Sequence, residues 1–113
     1  MGVVGSIQSM INNLNHNRYI IIGLTSKSYH SDVEDKNNKL CNVFGKYFLD
    51  IRRYILDFGL DDMSITPTDE DIADIAEGEI PHSLLNDNVH FNEMGYELIS
   101  RLVYQKGKEL GYW

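Results

Sequence analysis

A chain of 113 residues with 42% apolar and 24% charged residues has the make-up of an ordinary globular domain with one modest core. Its net charge of −7, with Lys and Arg scattered, repels phosphate backbones and argues against nucleic acid as a partner. The longest apolar run, Tyr19-Ile20-Ile21-Ile22, is far short of the roughly 20 residues a membrane span needs, and the first residues carry no basic leader of a signal peptide.

Ile7, Met10, Ile11 and Leu14 fall at i, i+3, i+4, i+7, which predicts an amphipathic helix closed by Asn15-His16-Asn17. Ser6, at its entry, reads as the N-cap. Residues 18–25 then form a β-branched run without alternation, the pattern of a strand buried on both faces. A helix feeding such a strand is half of a βαβ unit and implies a parallel sheet with helices on both sides. Residues 25–36 are polar and irregular. Loops at the carboxyl ends of strands carry function in open α/β sheets, so His30 and the hydroxyls around it, Ser26 and Ser28 among them, are candidates to line a cleft. The alternative is a loop with incidental polar residues.

Leu40, Val43, Phe44 and Tyr47 mark the next helix, and Cys41 within it reads as a buried thiol, since no histidine is near it in sequence. As the single cysteine it excludes an internal disulfide. A short strand follows at 47–51, and Asp50 at its end is a turn or cap residue in preference to an orienting carboxylate. Residues 52–58 read as helix stopped by Gly59. Thr66 as cap and Pro67 at the first position start another helix, with Ile72, Ile75 and Ala76 as its buried face and Gly78 as its end. The acids at Asp61-Asp62 and Asp69-Glu70-Asp71 read as solvated helix starts. A last helix runs over 92–110, with Tyr96, Ile99, Leu102, Val103 and Lys106 at helical spacing and Asn92 as its cap. Two strands are too few to cover this many helices. The expected architecture is therefore one α/β domain over residues 1–113, a partial three-layer α/β/α sandwich with a parallel sheet.

Between the last two helices stands Asp87-Asn88-Val89-His90. A bare D-x-x-H pair arises about once in three chains of this composition, so its setting carries the weight. Here it sits in a turn directly ahead of a capped helix. A carboxylate three residues before an imidazole can bond the ring Nδ1, fix the tautomer and leave Nε2 as a general base. The alternative is a surface Asp–His pair that caps the helix. A metal site built from Asp87, His90 and His82 lacks both a common helical face and a fourth ligand.

The stretch from Ser83 to Tyr96 resembles the C-terminal block of the SGNH (GDSL-type) hydrolases, in which an acid and a histidine three residues apart precede a turn, a glycine and the last helix. The wider chain is similar too, with a hydrophobic strand ending Gly23-Leu24-Thr25, a helix start at Asn37-Asn38-Lys39-Leu40 and then Tyr47-Phe48-Leu49-Asp50-Ile51. The resemblance implies the C-terminal portion of a flavodoxin-like hydrolase fold, with His90 as general base and Asp87 as its orienting acid. It implies acyl-ester substrates, O-acetylated carbohydrate first among them, and no metal or cofactor. The family's G-D-S and G-x-N-D blocks are absent, and the nucleophile is not carried onto Ser6. The expected chain therefore supplies half of a triad and is completed by self-association or by a chain providing the missing strands. The alternative is a non-catalytic structural or carbohydrate-binding module of a virion or cell-surface assembly. For that role Tyr29, Tyr47, Tyr54 and Tyr104 are candidates to stack on sugars, against a plainer role in the core.

Overall fold

A computed structural model describes residues 2–25, 30–87 and 89–113, apart from the side chains of Val3, His30 and Ser31. The chain is a mixed α/β structure, mostly helical. Its elements are α1 (Val3–Asn12), β1 (Ile21–Ile22), α2 (His30–Phe44), β2 (Phe48–Leu49), α3 (Ile51–Tyr54), a π-helical segment (Ile55–Gly59), α4 (Leu60–Asp62), α5 (Asp69–Ala76) and α6 (Glu93–Glu109). Single 3-10 turns stand at Gly45–Tyr47 and His82–Leu84. Among the described residues no helix is long and apolar enough to cross a membrane.

The β1-α2-β2 segment is the expected parallel unit, with Ile21 opposite Phe48 and Ile22 opposite Leu49. Successive residues of a strand point to opposite faces, and β2 separates two apolar clusters accordingly. Phe48 packs with Ile21, Leu40 and Phe44, to which α1 adds Val4, Ile7 and Ile11. Leu49 packs against the larger cluster of Ile51, Ile55, Leu60, Ile80, Leu84, Leu98 and Leu102. The strands are shorter than the sequence suggests. Ile21 is buried, but Ile22 is 48% exposed, so β1 is not covered on both faces. Asn37, itself buried, ends that strand. Its Oδ1 accepts from Leu24 N at 2.8 Å and its Nδ2 donates to Leu24 O at 3.0 Å, as a neighbouring backbone would.

Several helices differ from expectation for identifiable reasons. Gly2, not Ser6, occupies the cap position of α1. Helix α2 begins at His30, inside the segment read as irregular, and Cys41 on it is exposed. Gly59 does not stop its helix, which runs on to Asp62. Buried positions there recur every fourth residue (Ile51, Ile55, Gly59 and Arg52, Leu56, Leu60), slower than the 3.6-residue α turn. The wider π segment takes up the difference and keeps both rows facing inward. Gly59 is buried there, with Ile55 and Leu84 close around it.

Arg52 is 2% exposed and joins three parts of the chain. Its Nη1 donates to Glu34 Oε1 of α2 at 3.0 Å, its Nη2 donates to the Gly78 carbonyl, and its Nε has no partner. Helix α5 starts two residues later than expected. Thr68 Oγ1 accepts from Asp71 N while Asp71 Oδ2 accepts from Thr68 N, each at 3.0 Å, a reciprocal box that satisfies two end donors at once. Of the apolar face expected of α5, Ile75 packs against the larger cluster but Ile72 and Ala76 are exposed, whereas Asp71 and Asp74 are buried. Gly78 ends the segment with a positive φ of 73°. In α6 the fully inward residues are Gly95, Leu98, Leu102 and Gly107; of the predicted stripe Leu102 is buried and Ile99 packs against the larger cluster, whereas Tyr96 is exposed.

Candidate functional site

The loop that carries the acid and the base is closed at its base by backbone and side-chain bonds. Leu85 and Phe91 form an antiparallel bridge, and Asn86 N donates to His90 O at 2.8 Å. Asn92 does three things at once. Its N–H bonds Leu84 O, its Nδ2 bonds Ser83 O at 2.8 Å, and its Oδ1 accepts from Gly95 N at 3.0 Å as the cap of α6. Gly95 is needed for that join, because a Cβ there would lie 2.5 Å from the Leu84 carbonyl oxygen and 3.0 Å from Phe91 Cβ.

Within this frame Asp87 and His90 share one turn. Asp87 Oδ1 accepts from the backbone N–H groups of Val89 and His90, each at 2.7 Å. The His90 Nδ1 lies 3.0 Å from Oδ2 and 3.2 Å from Oδ1 of the same carboxylate. The His90 side chain and the two N–H donors hold the Asp87 carboxyl down to about 2, so it is ionised at neutral pH. An ionised carboxylate can only accept, so the proton stays on Nδ1 and Nε2 carries the lone pair. The pair is open to solvent, with side chains 65% (His90) and 55% (Asp87) exposed. The geometry expected from the i, i+3 spacing is present; a pocket around it is not part of that geometry.

The contact with the imidazole is the largest of the effects on Asp87. His90→Ala should therefore raise the Asp87 midpoint from about 2 toward the ordinary carboxylate value, while the two backbone donors keep it short of that value. A side-chain carboxyl NMR titration reads this directly. A midpoint unmoved in the variant would mean that ring and carboxylate do not meet in solution.

A second imidazole–carboxylate contact lies at the start of the same loop, and spacing gives no sign of it. His82 Nδ1 stands 2.5 Å from Asp74 Oδ2, with Glu70 Oε1 at 3.5 Å, and His82 N also donates to Asp74 Oδ2. Beside it Asp71 accepts from Ser83 N at 2.9 Å and from Ser83 Oγ at 2.5 Å. Two buried acids of α5 thus clamp the turn from which the loop departs. Burial pushes the Asp71 carboxyl up, but the bonds from Ser83 and Thr68 outweigh it and leave the group below the usual range.

No nucleophile joins the dyad: among the described residues no serine hydroxyl is bonded to His90, and Ser83 is committed to Asp71. Ser26, Ser28 and Tyr29, and the side chain of His30, lie outside the described residues. Asp50 caps α3 by accepting from Arg53 N, the role expected of it in preference to orienting a base. Among the described residues no group of three or more His, Cys, Asp or Glu is placed to hold a metal. Comparison with known proteins finds no matching family model, no matching curated protein and no matching solved structure.

Proposed function

We propose that this chain is the C-terminal portion of an SGNH-type ester hydrolase, supplying the base and the orienting acid of a triad whose serine comes from elsewhere. The observation that carries the reading is the Asp87–His90 pair, a carboxylate 3.0 Å from Nδ1 in one turn, ahead of a capped helix and with the ring open to solvent. The parallel β1-α2-β2 unit, with helices packed against Phe48 on one side and Leu49 on the other, supports the three-layer α/β/α sandwich that this reading requires. In the completed site the serine oxygen bonds the acyl carbon while Nε2 of His90 takes its proton. The same proton then passes to the departing alcohol, and water repeats the sequence to free the acid. Asp87 stabilises the imidazolium in both steps. Small acyl esters, O-acetylated carbohydrate first, are the substrates, and the missing strands come from a second copy or from another chain.

The 113-residue chain alone should hydrolyse p-nitrophenyl acetate no faster than free imidazole, with or without His90. Expressed together with the coding sequence upstream of Met1, it should gain turnover that falls by roughly 10³ or more in His90→Ala. Turnover of the chain alone with fluorophosphonate labelling of Ser6, Ser26 or Ser28 would place the nucleophile within these residues. Turnover of the longer product that ignores His90→Ala would remove the dyad from the chemistry.

A second reading, a non-catalytic structural or carbohydrate-binding module of a virion or cell-surface assembly, is favoured by the lack of a serine bonded to His90 among the described residues. Inactivity of the longer product, with the chain incorporated in an assembly, is its expected outcome.

A further inference from the structure

We propose that the cleft lined by Tyr54, Phe58, Asp61 and Asp62 binds a quaternary ammonium cation the size of choline. Its volume of about 430 Å³ lies within the roughly 300–1,000 Å³ of small-molecule sites. The helix that runs from α3 through the π segment into α4 builds the cleft by spacing. The π segment keeps Ile55, Leu56, Gly59 and Leu60 inward, so Phe58 turns to solvent and is 56% exposed. Tyr54, four residues earlier, meets it with 5.4 Å between ring centroids and 51° between ring planes. Rings so placed let one cation lie within about 6 Å of both centroids. Asp61 and Asp62 follow one turn later, in α4.

The bonding around the cleft selects the kind of cation. Tyr54 Oη donates to Asp62 Oδ2, and Asp62 Oδ1 lies 3.2 Å from Arg101 Nη2, so both Asp62 oxygens are engaged. What remains for a ligand is the two ring faces and the Asp61 carboxylate. That carboxylate is exposed and has no hydrogen bond or ion pair among the described residues. A primary ammonium brings three N–H donors and meets one free acceptor group. A metal ion needs several oxygen ligands, and among the described residues no group of three or more His, Cys, Asp or Glu is placed to hold one. A quaternary ammonium has no donor to satisfy and is weakly hydrated, so aromatic faces and one carboxylate suffice. The sign of the field agrees. Two carboxylates against the Arg101 guanidinium leave one negative charge at the cleft, in a chain of net charge −7, so an anion is repelled. A neutral apolar ligand would dry the Asp61 charge without compensating it. Neither Asp87 nor His90 lines the cleft, so binding there is independent of any hydrolase activity.

The test is an NMR titration of the intact 113-residue chain with choline chloride at constant ionic strength. Run alongside are the uncharged carbon isostere of choline, in which a tert-butyl group replaces trimethylammonium, and vesicles of phosphatidylcholine. Choline should shift the Tyr54 and Phe58 ring protons saturably at millimolar concentration, and the isostere should bind at least about fivefold more weakly. Phe58→Leu keeps an apolar side chain but removes one ring face, and should weaken choline binding about three- to fivefold with the melting temperature within about 2 °C of the parent. Asp61→Asn should weaken it by about the same factor. The vesicles should not bind the chain, because the phosphate beside that headgroup would meet Asp61 and Asp62. Absence of a saturable shift, equal affinity for the isostere, choline binding unchanged in both variants, or binding to vesicles without binding of free choline would each overturn the assignment.

Discussion

Asp71→Ala should destabilise the chain by roughly 3–5 kcal/mol and lower its melting temperature by more than about 10 °C. Asp71 is fully buried and serves two structures at once. It completes the cap of α5 through Thr68 N, and it takes two bonds from Ser83 at the root of the dyad loop. Alanine leaves the N–H groups of Thr68 and Ser83 without acceptors, at about 1–3 kcal/mol each where they stay dry, while the bond from the residue-71 N–H to Thr68 Oγ1 remains. Against a total of about 5–15 kcal/mol for a domain of this size, that is a large share. The acid dependence follows from the direction of its pKa. Asp71 is held below its ordinary value, so its ionised form stabilises the fold fully above the unfolded-state value near 4. That contribution is lost as pH falls through the folded-state value. Asp71→Asn should therefore melt well below the parent at pH 7 and converge with it in acid. Amide exchange adds a local reading: the Asn86 and Asn92 N–H groups, which close the loop, should lose protection in Asp71→Ala. A variant that melts within about 2 °C of the parent at pH 7 would mean that the α5 clamp does not hold the loop.

What could be read from sequence, and what could not, divides by the range of the interactions involved. Asn92 and the last helix are legible because cap and periodicity both act within a turn or two. The Asp87–His90 contact is legible for the same reason, since three residues in a turn leave the two side chains little choice. Asp50 as a cap and Gly78 as a stop belong with them. Helix α5 defeats the pattern because Asp71 and Asp74 are buried by partners eight and twelve positions further on, whereas Ile72 finds none. Nothing local marks Arg52 as buried, because the Gly78 carbonyl that meets it is 26 residues away. The Ile20-Ile21-Ile22 run has the same appearance whether one face or both are covered, and only the fold decides. Gly59 reads as a stop, but it is buried within the helix, with Ile55 and Leu84 close around it.

The open edge of β1 should make the chain associate at micromolar concentration. Alternate residues of a parallel strand bond to the same neighbour. Gly23 N donates to Leu49 O of β2 at 3.0 Å, so the N–H and C=O of Ile22 point to the opposite edge. Among the described residues no strand lies there, and Ile22 presents an exposed apolar side chain beside it. Asn37 closes this edge at Leu24, but nothing comparable among the described residues closes it at Ile22. The shape agrees with an unfinished sheet. The extents are 46 × 32 × 21 Å and the radius of gyration is 14.9 Å, against about 13 Å for a compact chain of this length. An unpaired, apolar edge is a template for a further strand, and each Å² of apolar surface it covers adds about 25 cal/mol. Sedimentation velocity at micromolar concentration should show dimers or larger species. Ile22→Lys, which puts a charge where an incoming strand must lie, should weaken association at least tenfold while leaving the β1–β2 pairing intact. A parent chain that sediments as a monomer and melts cooperatively would mean that these residues form a finished fold. The proposal that strands and nucleophile come from elsewhere would then fail with it.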